Sequence, residues 1–117
     1  MLSSVIVYGE TDTGFFEHLE DSFIAKNLTH YASELLGKGL YDEEELDTAL
    51  HKAMNALTRA SLPVVKHFRV VYVSEQGIIK RDWMVSDLGY RLIIFNADVS
   101  NPVVAKLQVE VLANHLV

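Results

Sequence analysis

Along this chain the hydrophobic pattern changes period once, and the change divides what each half can become. From Phe15 to Leu57 apolar side chains recur every three or four positions, whereas from Phe68 to Val85 they alternate. A 3.6-residue repeat gives a helix one stripe for a core, and a two-residue repeat sorts side chains to the two faces of a strand. The expected fold is therefore α+β, with helices in the N-terminal half and a β-hairpin followed by two helices in the C-terminal half.

Leu2 to Tyr8 reads as a short strand, ended by a loop from Gly9 to Gly14. Phe15, Phe16, Leu19, Phe23 and Ile24 space a first helix, with Glu17, Glu20 and Asp21 between them. Leu28, Tyr31, Ala32, Leu35 and Leu36 predict a second, short helix from Leu28 to Leu36, closed by Gly37 or Gly39 as a left-handed cap. In the next helix Asp42 and Glu45 have capping-box spacing, and Glu43, Glu44 and Asp47 suit the positive end of the dipole. Its buried stripe is Leu46, Leu50, Ala53, Met54 and Leu57, and Ser61 and Pro63 stop it.

In the second half, Phe68, Val70 and Tyr72 alternate with Arg69, Val71 and Val73. Ser74-Glu75-Gln76-Gly77 then turns the chain into Ile78 to Val85, where Lys80 and Asp82 alternate with Ile79, Arg81 and Trp83. Ser86 can cap a helix from Asp87 to Phe95, although Leu92-Ile93-Ile94-Phe95 suits a buried strand equally; helix is preferred. Asn96 to Asn101 is a turn, and Pro102 suits the first position of a last helix capped by Asn101. That helix is expected to face inward with Val103, Val104, Leu107, Val111 and Leu112, and outward with Lys106, Glu110 and Asn114. Its apolar pattern reaches Leu116-Val117, as expected either of an apolar tip that something covers or of a fragment of a longer chain.

The 117 residues suit one domain spanning 1–117, and half of them are hydrophobic, which favours a folded chain. With no cysteine, disulfides and thiolate zinc sites are excluded. The N-terminus lacks the basic start and longer apolar stretch of a signal peptide, and no run approaches the ~18 apolar residues of a membrane span. A cytoplasmic protein with no membrane partner is expected.

Catalytic patterns are absent from the sequence. There is no glycine-rich phosphate loop, no nucleophile-elbow serine and no thiol nucleophile, so no cofactor and no enzymatic activity are expected. His18, His30, His51, His67 and His115 are scattered, without the paired spacing of a zinc protease helix. Glu43, Asp47 and His51 share a helical face on which a metal could touch two of them, but an exposed face set on the helix dipole explains them as well. His18 with Asp21, and the carboxylates Asp12, Glu17, Glu20 and Asp21, read as a solvated face.

Charge is unevenly placed within a net of −6. Residues 1 to 58 carry three basic side chains against eleven acids, and the remainder carries seven against five. Solvated charge is the common cause of such asymmetry, and a half able to meet phosphates is the functional one. Lys66, Arg69, Lys80, Arg81 and Arg91 lie near Phe68, Tyr72, Trp83 and Tyr90 in sequence, the mixture with which nucleic-acid surfaces neutralise phosphates and stack on bases. Aromatic residues of a hairpin are more often core, whereas the cations must line some surface.

Ala53-Met54-Asn55-Ala56, His67-Phe68-Arg69, Lys80-Arg81-Asp82-Trp83, Ser86 to Tyr90, Leu92-Ile93-Ile94, Asn96-Ala97-Asp98 and Pro102 to Gln108 follow one another in order. That series, between Ala49 and Leu112, resembles the damage-inducible protein D family, related to the BRO-N antirepressor domains of phages and large DNA viruses. Gly14-Phe15-Phe16-Glu17-His18-Leu19 looks like the same family's opening segment. The resemblance implies a regulatory rather than catalytic protein, acting on DNA or on a protein that works at DNA.

The expectation is a regulatory, nucleic-acid-associated module that contacts DNA phosphates through Lys66, Arg69, Lys80, Arg81 and Arg91. The alternative is a protein-binding antirepressor or inhibitor that presents its acidic helices to a basic partner, or buries its apolar tip in a copy of itself.

Overall fold

The computed structural model describes residues 4–6, 26–39 and 42–116. It is an α+β domain built on an antiparallel sheet. In chain order the elements are β1 (Ser4–Ile6), β2 (Leu28–Tyr31), α1 (Glu34–Lys38), α2 (Glu43–Arg59), a 3-10 turn (Val64–Lys66), β3 (Phe68–Glu75), β4 (Ile78–Ser86), α3 (Asp87–Asn96) and α4 (Pro102–Leu116). The strands lie in the order β1-β3-β4-β2. The expected first loop and helix, with Asp12, Glu17, His18, Glu20 and Asp21, lie outside the described residues.

The central hairpin runs from Phe68 opposite Val85 to Glu75 opposite Ile78. Gln76 and Gly77 link its strands, both at positive φ (53° and 81°), the signature of a type I′ turn. Such a turn twists with the strands it joins, which fixes the register of the pair. Ser4–Ile6 adds to the outer edge of β3, with Val5 opposite Val73.

One expectation is corrected. Leu28 to Leu36 is not one helix: Leu28–Tyr31 pairs antiparallel with β4, and only Glu34–Lys38 is helical. The helical spacing of Leu28, Ala32 and Leu35 arises because all three are buried from different elements. Thr29, His30 and Tyr31 suit an edge strand, and tertiary pairing outweighs so short a periodic signal. Ser33 marks the turn, where its N–H and hydroxyl both donate to the Asp82 carboxylate of β4.

The remaining helices follow their local chemistry. Asp42 accepts the Glu45 N–H at 2.8 Å at the start of α2. At the other end the Ser61 N–H donates to the Thr58 carbonyl and the Leu62 N–H to the Leu57 carbonyl, a Schellman motif with Ser61 at φ 62°. Ser86 accepts the Gly89 N–H at 2.9 Å, which starts residues 87–96 as helix. Asn101 accepts the Val103 N–H at 3.0 Å ahead of Pro102.

The core lies between α2, α3 and one face of the sheet. Leu50, Ala53 and Leu57 from α2 meet Phe68 and Val85 of the hairpin and Ile93 and Ile94 of α3. Burying each such Leu or Ile side chain contributes roughly 1.5–3 kcal/mol. Along α4 the expected inward face is narrower than its pattern: Val104 is buried and Leu107 and Val111 are half-buried, but Val103 and Leu112 are exposed. An apolar pattern that runs almost all round a helix carries too little asymmetry to mark its inner side. No helix of the described residues is long and apolar enough to cross a membrane.

Candidate functional site

The pleat of the hairpin separates the cations that lie close together in sequence. Cross-strand partners share a face, so Arg81, opposite Tyr72, stands on the face with Phe68, Val70, Trp83 and Val85. Arg69, opposite Met84, and Lys80, opposite Val73, stand on the other. Four residues separate Arg69 from Val73, which puts Arg69 and Lys80 about 13 Å apart along the strand direction. Arg69 is half-buried and engaged in an interaction of its own. Arg91, on α3, holds its Nε 3.0 Å from Asp87 Oδ2. Lys66 is exposed at the end of the 3-10 turn. These five side chains do not converge on one surface: Lys80 and Arg81, both exposed near the hairpin's distal end, project from its opposite faces.

A groove does form where the first turns of α2 approach β4. Its hollow, about 440 Å³, has Leu36, Leu46, Leu50 and Trp83 among its walls. Glu43, Glu44, Asp47 and Asp82 line it as well, with Arg81 the one cation among the described residues. A second hollow of about 250 Å³ adjoins it, shares Ser33, Leu36, Glu43, Arg81 and Asp82, and extends toward Val73 and Lys80. Apolar walls under a ring of carboxylates suit an occupant with both aliphatic and cationic groups: the walls supply desolvation, and the acids select and steer charge.

Local chemistry puts each part of the groove in place. Glu43 and Glu44 are held in the first turn of α2, where the dipole favours acids, and Asp47 follows one turn on, beside the buried stripe. Trp83 is half-buried because its face packs on the core, while the carboxylate of its neighbour Asp82 turns along the β4 edge to Ser33. Asp82 is fixed by three donors, the Ser33 N–H and hydroxyl and the Trp83 N–H.

Elsewhere, side chains that could carry chemistry serve the fold. His67 Nδ1 lies 2.7 Å from Ser86 Oγ, half of a nucleophilic pair in outline. Ser86 is only 6% exposed, however, and its Oγ already accepts the Gly89 N–H as the cap of α3, so no substrate can reach it. His30 stacks on Tyr90, with ring centroids 4.3 Å apart, and stands between Glu34 (3.6 Å) and Asp87 (3.5 Å). This knot ties β2 to α1 and α3, and the scattered histidines of the sequence hold no signal for it. On α2, His51 Nδ1 turns back to the Asp47 carbonyl at 2.8 Å, and Glu43 lies two turns earlier. Among the described residues no group of three His, Asp or Glu side chains is placed to hold a metal ion.

Asp98 titrates below the usual carboxylate range because the Ser100 N–H, at 2.9 Å, and then its hydroxyl donate to it. Its exposure makes this a feature of the turn before α4. No protein-family model, curated protein or solved structure matches the chain.

Proposed function

We propose that this domain is a non-catalytic regulatory module that binds a basic segment of a partner protein in the groove between α2 and β4. The observation that carries the reading is the meeting of Glu43, Glu44, Asp47 and Asp82 over the walls made by Leu36, Leu46, Leu50 and Trp83. The net charge of −6 adds a field that attracts a basic partner and repels nucleic acid. Proteins that work at DNA carry such basic segments, which agrees with the antirepressor-like role implied by the resemblance of residues 49–112. The test is fluorescence anisotropy with a labelled peptide alternating leucine and lysine, beside its leucine–glutamate counterpart. The lysine peptide binds, the glutamate peptide does not, and Glu43→Lys/Asp47→Lys weakens binding by about tenfold or more. Equal binding of both peptides, or no effect of the double reversal, contradicts the reading.

DNA contact through the hairpin is the second reading, favoured by the composition of the hairpin's distal end. Beside the Gln76-Gly77 turn stand Ile78 and Ile79, 58% and 63% exposed, followed by the exposed Lys80 and Arg81. Cations that neutralise phosphates beside aliphatic groups that wedge at a base step are one way strands engage a duplex. On this reading duplex binding at low salt falls steeply as salt is added and is lost in Lys80→Ala/Arg81→Ala. Absence of duplex binding at low salt by the folded domain rules it out.

A further inference from the structure

The groove holds an edge of main chain as well as side chains. In an antiparallel ladder successive residues aim their N–H and C=O groups to alternate sides of the strand. Ala32 donates its N–H to the Trp83 carbonyl at 2.8 Å, so Trp83 faces β2; Ser86 donates its own N–H to the His67 carbonyl, so even-numbered residues face β3. Arg81 and Ile79, two and four positions from Trp83, therefore aim their N–H and C=O groups to the β2 side. There β2 has already ended: its ladder to β4 runs from Ser86 to Met84, the Ala32–Trp83 bond closes it, and Ser33 is drawn away by Asp82. Among the described residues none pairs with Ile79 or Arg81 on that side.

We infer that the partner segment binds as an extended strand added along β4 at Ile79–Arg81, continuing the line of β2, with basic side chains toward Glu43 and Asp47. This rests on the groove reading above and adds the geometry of the occupant. An edge left unpaired by the described residues offers four main-chain groups that an extended chain satisfies without regard to its sequence, and alternate side chains then enter the flanking hollows. Charge decides between occupants. Self-pairing of this edge in antiparallel register centred on Lys80 sets Lys80 against its own copy, and like charges placed directly opposite are destabilising. A basic and aliphatic strand instead meets the acids of α2 and the walls made by Leu46 and Trp83.

The experiment uses the full chain and two versions of the leucine–lysine peptide, about eight residues long, each N-methylated at every second residue but in opposite phase. In an added strand one phase of N–H groups faces β4 and the other faces solvent. One version should lose about tenfold or more in affinity, because its methyl groups remove the hydrogen bonds to β4, while the other stays within about threefold of the parent. Ile79→Pro gives the same loss from the protein side: its N–H points away from β3, so the β3 ladder is kept, as an unchanged circular dichroism spectrum would confirm. Equal behaviour of the two methylated peptides overturns strand addition while leaving the groove intact. Failure of the unmethylated peptide to bind at all overturns the groove reading itself.

Discussion

The buried hydroxyl of Tyr90 has no hydrogen-bond partner among the described residues, although the ring stacks on His30 and lies under Lys38 Nζ at 5.8 Å. An unsatisfied buried hydroxyl costs roughly 1–3 kcal/mol, whereas the ring's contacts survive in phenylalanine. Tyr90→Phe should therefore leave the denaturant midpoint unchanged or raise it, and a clear loss of stability would show that the hydroxyl has a partner. Asn101 is the opposite case. It is 1% exposed, accepts the Val103 N–H and donates its amide to the Gly39 carbonyl at 2.8 Å, tying the start of α4 to the end of α1. Losing the cap costs about 1 kcal/mol and orphaning the carbonyl adds a similar amount, so Asn101→Ala should destabilise by roughly 2–3 kcal/mol in equilibrium unfolding. The cap was legible in Asn101-Pro102; the bond to Gly39, 62 residues away, was not, because only folding brings them together.

Among the elements, those whose ends carry their own chemistry were readable from sequence: α2 from Asp42, α3 from Ser86, and the hairpin from its turn. β2 was not, since a four-residue edge strand takes its identity from β4 and not from its own period. The C-terminus of α2 supports a direct test. Ser61 occupies the left-handed position of a Schellman motif, where a Cβ costs roughly 1–2 kcal/mol and glycine pays mainly in unfolded-state entropy. Ser61→Gly should raise stability by about 0.5–1 kcal/mol, seen as a higher thermal midpoint. Gly39, at φ 126°, shows the reverse constraint. A Cβ there would lie 2.2 Å from Val103 Cγ1, so Gly39→Ala should loosen the seat of α4 and lower that midpoint.

At the scale of the whole molecule, two charge patterns visible in the sequence fare differently. The acids near the start of α2 reinforce one another because a helix face and a sheet edge bring Glu43, Asp47 and Asp82 around one groove. The cations of the second half disperse because the pleat sends Arg81 and Lys80 to opposite faces and α3 pairs Arg91 with Asp87. Alternation made that dispersal readable in advance. The groove was not, since it depends on how α2 docks on a strand some 35–40 residues further along, at Arg81–Trp83. An attraction of this kind should be screened, so affinity for a basic peptide should fall as ionic strength rises but keep an apolar remainder at high salt.

The most direct measurement is a two-dimensional amide NMR titration of the isotope-labelled domain with the leucine–lysine peptide. The account predicts that shifts concentrate at Ile79, Arg81 and Trp83 and in the first turns of α2, with amide exchange at Ile79 and Arg81 slowed in the complex. Shifts centred on Lys66, Arg69 and Arg91, or none at saturating peptide, would contradict it.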